Sequence, residues 1–112
     1  MLRTPSDFAA LSVAPGVTTP LLGVRHRTVP TTDSSAPLRL GIATSRKVGN
    51  AVVRNRIRRR LKSIARELAP QVRPGAEILV GVRTAASTAT SAELRAALTD
   101  CLHRANLMEI AS

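Results

Sequence analysis

A chain of 112 residues is long enough for one compact domain, 1–112, and with Phe8 as its only aromatic ring the core must be built from Leu, Ile, Val and Ala. Seventeen Lys and Arg against seven Asp and Glu leave a net charge of +10, a self-repulsion that destabilises a small fold unless a polyanion neutralises it. No apolar run is long enough to span a bilayer, and one cysteine, Cys101, with two histidines, His26 and His103, supplies neither an internal disulfide nor a zinc set.

In chain order, Thr4-Pro5-Ser6-Asp7 reads as a helix start, with Thr4 as cap, Pro5 at the first helical position and an acid in the first turn. Phe8 and Leu11 are the large members of its apolar face, and Pro15-Gly16 ends it. Pro20 to Val29 reads as a strand, with Leu22, Val24 and His26 on one face and Leu21, Gly23, Arg25 and Arg27 on the other. The polar stretch Pro30 to Pro37 reads as a hairpin loop to a second strand, in which Leu38, Leu40 and Ile42 alternate with Arg39, Gly41 and Ala43.

Gly49-Asn50 opens the strongest helix, with Asn50 as its cap. Val53, Ile57, Leu61, Ile64 and Leu68 recur at spacings of four, four, three and four, which places them on one narrow stripe. Pro70 and Pro74-Gly75 bound it. Glu77 to Arg83 reads as a short buried strand, and Thr90-Ser91-Ala92-Glu93 is a capping-box pattern opening a last helix whose core face is Leu94, Leu98, Cys101, Leu102 and Ala105. The fold class is α+β, a small mixed β-sheet packed with helices in the order α-β-β-α-β-α, with room for a further short N-terminal strand.

Charge is concentrated rather than spread. Ten of the 17 Lys and Arg lie between Arg39 and Arg66, and no acidic residue falls between Asp33 and Glu67. On a helical projection Arg58, Arg59, Lys62 and Arg66 oppose the apolar stripe, with Asn55 among them; Arg54 borders the stripe on one side, Arg56 and Arg60 on the other. Guanidinium forks suit phosphate because their planar donors engage two oxygens at once. Like charges at i,i+4 repel, so a one-signed, Arg-rich helix is better explained by an anion it meets than by simple solvation. Arg46 and Lys47 flank the helix N-terminus, whose exposed amides favour phosphate.

The run from Gly41 to Arg56, GIATSRKVGNAVVRNR, with Arg54-Asn55-Arg56 at its core and Ile57-Arg58-Arg59-Arg60-Leu61 after it, resembles the signature of the bacterial ribonuclease P protein family. Pro74 to Val80 resembles the strand that follows the basic helix in that family, and the resemblance extends from about Leu38 to Ala105. It implies a protein that binds a large catalytic RNA through the Arg-Asn-Arg region. The holoenzyme removes the 5′ leader of precursor tRNA, with catalysis by the RNA and its magnesium ions and no cofactor bound by the protein alone. Together with the charge placement on the helix and at its N-terminus, this gives Arg46, Lys47, Asn50, Arg54, Asn55, Arg56, Arg58, Arg59, Arg60, Lys62 and Arg66 as the expected RNA-binding residues. The resemblance also implies a left-handed β-α-β crossover and a leader-binding cleft between sheet and helices, with Phe8, Arg25, His26 and Arg27 as its candidates. The sequence departs from the family where several rings are usual in the first helix and early strands.

Other readings fit less well. A ribosome-associated or other structural RNA-binding protein would share the charge balance, and only the Arg54-Asn55-Arg56 context argues against it. A DNA-binding regulator usually has a helix close before its recognition helix, where this sequence has a strand. The carboxylates are scattered, without the close pair of a two-metal nuclease. The apolar stripe is needed for the core and lacks rings, which disfavours a membrane-surface helix. The first ten residues lack a secretion signal's apolar stretch, and with the lone cysteine this makes the cytoplasm the expected compartment.

Overall fold

A computed structural model describes residues 14–33 and 37–108; the expected first helix, with Phe8, lies outside them. The further short strand is present as β1 (Gly16–Thr18). Thr19 turns it into β2 (Leu22–Thr28): its hydroxyl accepts from the N–H groups of Leu21 and Leu22 and donates to the Leu22 carbonyl. Next come β3 (Arg39–Ala43), α1 (Ala51–Leu68), β4 (Ala76–Val82) and α2 (Ser91–Arg104). Short 3₁₀ turns occupy Arg46–Val48, Ala69–Gln71 and Thr84–Thr88.

The four strands form one sheet in the order β1-β2-β4-β3, with β4 antiparallel to β2 and parallel to β3. The link from β2 to β3 is therefore not a hairpin loop, because β4 lies between the two strands. Alternation in β2 and β3 reports which side chains face the core, not which strands are neighbours. The near-continuous apolar run of β4 suits a central strand, bonded along both edges to β2 and β3. Ala76, Ile78 and Val80 are fully buried, and the chain reaches them through Gly75, whose φ is +80°. A Cβ at Gly75 would lie 2.3 Å from the Val29 carbonyl oxygen, so the turn into β4 needs glycine.

One face of the sheet is the core face. Leu22, Val24, Leu40, Ile78 and Val80 pack there with Ile57, Leu61, Ile64 and Leu68 of α1 and Leu94, Leu98, Cys101 and Leu102 of α2. Both helix starts are capped as the sequence requires. Asn50 Oδ1 accepts from the Val53 N–H at 3.0 Å. Thr90 and Glu93 close a reciprocal capping box at 3.1 and 3.0 Å. After α2 the chain turns at Asn106, in the left-handed region at φ 59°. It then ties back to the α1–β4 link through a bond from the Arg73 N–H to the Leu107 carbonyl and a bridge between Val72 and Met108.

Two outcomes follow. Ile57→Ala or Leu61→Ala, at side chains with 1% and 0% exposure, lowers unfolding free energy in urea by on the order of 2–5 kcal/mol. The bonds from the Thr90 N–H and hydroxyl hold the Glu93 carboxyl below its ordinary range. Because the folded value is the lower one, this cap contributes stability above the unfolded carboxylate value and loses it as pH falls through the folded value. Thermal unfolding followed from neutral into acid pH should show a shallower acid decline for Glu93→Gln than for the parent.

Candidate nucleic-acid interface

Because Ile57, Leu61, Ile64, Ala65 and Leu68 turn toward the sheet, the opposite side of α1 is committed to solvent. Asn55, Arg59, Lys62 and Arg66 are exposed there, while Arg54 and Arg58 are half-buried. Arg56 and Arg60 have a second role that the helical projection did not reveal. Arg56 Nη2 donates to the Ser87 carbonyl at 3.2 Å and Arg60 Nη1 to the Ala89 carbonyl at 3.3 Å, tying α1 to the turn before α2. Both side chains are half-buried, so each bond holds a guanidinium at the margin of the helix. Among the described residues, Thr44 Oγ1, Arg54 Nε and Arg56 Nε are buried without a hydrogen-bond partner. Buried polar atoms are normally satisfied, and all three belong to the Arg54-Asn55-Arg56 helix or the strand end leading to it.

The approach to α1 adds to this surface. Val48 is buried and anchors the 3₁₀ turn, while Arg46 and Lys47 stay exposed beside the helix N-terminus. Gly49 lets that turn close on α1, since a Cβ there would sit 3.0 Å from Val53. Asn50 spends its side-chain oxygen on the Val53 N–H, so its role is to cap the helix and set its first turn.

Parallel pairing brings in a residue that sequence reasoning passed over. In register Ala43 lies opposite Gly81, so the turns after β3 and β4 emerge at the same end of the sheet and pack on each other. Exposed Arg83 thus joins Arg46 and Lys47. The signal was present in the sequence as a cation closing a buried strand, but its neighbours depended on the pairing.

The sheet face away from the helices carries a second basic group. Arg27, Glu77 and Arg39 lie directly opposite one another across β2, β4 and β3. Glu77 is 1% exposed, with its two carboxylate oxygens taking Arg27 Nε at 2.5 Å and Arg39 Nη1 at 2.6 Å. A carboxylate opening an apolar strand was the available signal for this ion group. Arg25 is exposed on the same face and donates to the Ala14 carbonyl at 2.8 Å. His26 is half-buried on the opposite, core-facing side with Leu22 and Val24, so it does not share a face with Arg25 and Arg27. Phe8 lies outside the described residues. Among those residues, no group of three His, Cys, Asp or Glu could hold a metal ion, and no helix is long and apolar enough to cross a membrane. Cys101 is buried in the core, and burial pushes its thiol up, away from the reactive thiolate.

The sequence model of the Ribonuclease P family matches residues 1–106. The ribonuclease P protein component of Symbiobacterium thermophilum is 43% identical over 76 residues, 68% of this chain and 66% of that protein. The one from Xanthomonas axonopodis pv. citri is 38% identical over 111 residues, 97% of this chain and 72% of the relative. Matches to the Nocardioides and Limosilactobacillus reuteri proteins span 61% of their length. Among solved structures, a Staphylococcus aureus RNase P protein mutant with defective mRNA degradation activity superposes with a TM-score of 0.82 at 25% identity, covering 96% of this chain and 88% of that one. The Thermotoga maritima RNase P protein gives 0.77 at 26%, covering 92% and 94%.

Charge removal separates the two kinds of arginine on α1. Arg59→Ala and Lys62→Ala each flatten the salt dependence of RNA binding by about one unit and leave stability within about 0.5 kcal/mol. Arg60→Ala weakens binding and also lowers stability by about 0.5–1.5 kcal/mol, through the lost bond to Ala89. Salt titrations of binding beside urea unfolding read both effects.

Proposed function

This chain belongs to the ribonuclease P protein family, and we propose that it serves as the protein subunit of a cytoplasmic ribonuclease P, binding the catalytic RNA and assisting removal of the 5′ leader from precursor tRNA. The observation that carries this reading is the run of cations on α1 from Arg54 to Arg66, which no acid interrupts, continued by Arg46, Lys47 and Arg83 at the end of the sheet. Asn55, Arg59, Lys62 and Arg66 engage phosphates from the exposed side of the helix. Arg54, Arg56, Arg58 and Arg60 reach the RNA from its margins, with Arg56 and Arg60 held by their carbonyl partners. The leader runs along the open sheet face, where Arg25 and the Arg27–Glu77–Arg39 group supply charge.

Cleavage chemistry belongs to the RNA, whose magnesium ions activate water and stabilise the displaced oxygen when bound. The contribution of this chain is charge and position. Cations fixed on a folded surface replace counterions that compact RNA would otherwise recruit from solution. They also hold the leader where the RNA can act on the bond next to it.

Reconstitution with a bacterial ribonuclease P RNA tests the reading. RNA-free protein leaves precursor tRNA intact, and adding it to the RNA lowers the magnesium concentration needed for 5′ cleavage. Unchanged magnesium dependence, with binding to unrelated structured RNAs of equal affinity, would instead mark a general structural RNA-binding protein.

A further inference from the structure

The open face contains a row with almost no side chains. Thr18 of β1, Gly23 of β2, Gly81 of β4 and Ala43 of β3 stand opposite one another in register across all four strands. They floor a trough of about 330 Å³, bordered by Arg25 and Leu79 in the next row. On its other side Arg83 follows β4, with its N–H bonded to the Leu21 carbonyl at 2.9 Å.

The backbone does not demand glycine at the two central positions. Gly75 has a positive φ and a backbone oxygen in the way of any Cβ. Gly23 and Gly81 have neither. A Cβ at Gly23 would meet Thr18 Cγ2 at 3.6 Å, and one at Gly81 would meet the Gly23 carbonyl oxygen at 3.7 Å, both ordinary contacts. Glycine inside a strand weakens it and marks a place where another group approaches the backbone closely. Here two such glycines are paired, and arginines stand before and after them.

We infer that Gly23 and Gly81 form a seat for one nucleobase of single-stranded RNA, which lies flat on the bare peptides while Arg25 and Arg83 meet the phosphates on either side. The inference rests on the leader-binding reading above and names how this chain holds the leader. An uncharged flat floor between two cations matches a nucleotide strand, in which an uncharged flat base alternates with anionic phosphate. The floor offers peptide groups and the Thr18 hydroxyl, with no set of side-chain donors to read a base edge. The seat therefore accepts any base, and shape rather than sequence selects the occupant. Gly23 and Gly81 are specificity-determining residues by what they omit.

The experiment uses holoenzyme reconstituted with a bacterial ribonuclease P RNA. It compares the parent with Gly81→Ala and Gly81→Val, and binding is measured for mature tRNA, precursor tRNA and precursors with one abasic leader position each. The parent should prefer precursor, and one abasic position should weaken binding about fivefold, the lower end of what a base stacked on a ring contributes, because peptide groups stand here in place of a ring. Changing the base at that position should have little effect. Gly81→Val should bind the intact precursor as weakly as the parent binds that abasic substrate, show no further loss with it, and keep the parent Tm. Gly81→Ala should fall between the two, and it decides the matter if the valine variant does not fold. Parent-like preference and abasic sensitivity in both variants overturn the seat while leaving the leader-binding reading intact. A lower Tm with preference retained overturns it too, because the protein's own chain would then fill the trough. A parent that does not distinguish precursor from mature tRNA overturns the leader-binding reading and the seat together.

Discussion

A helix carrying Arg54, Arg56, Arg58, Arg59, Arg60, Lys62 and Arg66 would be poorly stable in isolation, because cations three and four residues apart repel. Burial of Ile57, Leu61, Ile64 and Leu68 against the sheet opposes that repulsion. The same burial fixes the azimuth of every arginine on the helix. Rotating α1 by one residue would bury charge and expose leucine, so the apolar stripe determines which cations face solvent. The Asn50 cap and the Arg56 and Arg60 bonds then fix where the helix starts and how it lies beside the following turn.

The sheet depends on a comparable constraint at its centre. β4 supplies the strand to which both β2 and β3 bond, and Glu77 supplies the charge that lets arginines from those strands share one row. A buried carboxylate with a single partner would pay heavily in lost hydration. Two guanidinium groups on two neighbouring strands satisfy both of its oxygens and couple three strands laterally. Thus a strongly cationic chain places one of its few acids where it neutralises charge between strands, while the cations of α1 from Arg54 to Arg66 have no acid among them.

Local signals were legible in the sequence and long-range ones were not. Asn50, the Thr90–Glu93 box and the stripe of α1 concern residues within a few positions of one another, and each appears where the spacing put it. Alternation in β2 put Leu22, Val24 and His26 on one face and Arg25 and Arg27 on the other, but only the packing shows that the first face is the core, which takes His26 away from the two arginines with which it was grouped. Alternation is silent about partners, however. The insertion of β4, the pairing of Glu77 with Arg27 and Arg39, the bonds from Arg56 and Arg60 to carbonyls some thirty residues on, and the packing of the turn after β3 on the turn after β4 all join distant segments. No period in the sequence encodes them.

The place of β4 between β2 and β3 also bears on the order in which the chain can fold as it is synthesised. β2 can pair with β1 as soon as both are made, but β2 and β3 do not pair with each other, and the strand that joins them leaves the ribosome only after the whole of α1. Until β4 emerges, the apolar stripe of α1 has no completed surface to dock on, and the cations of that segment are displayed on an unfinished chain. Closure is a late event in which non-local contacts form together. The cations of α1 are therefore synthesised before the strand that completes the sheet beneath them, so the charge of this domain precedes its closure in chain order.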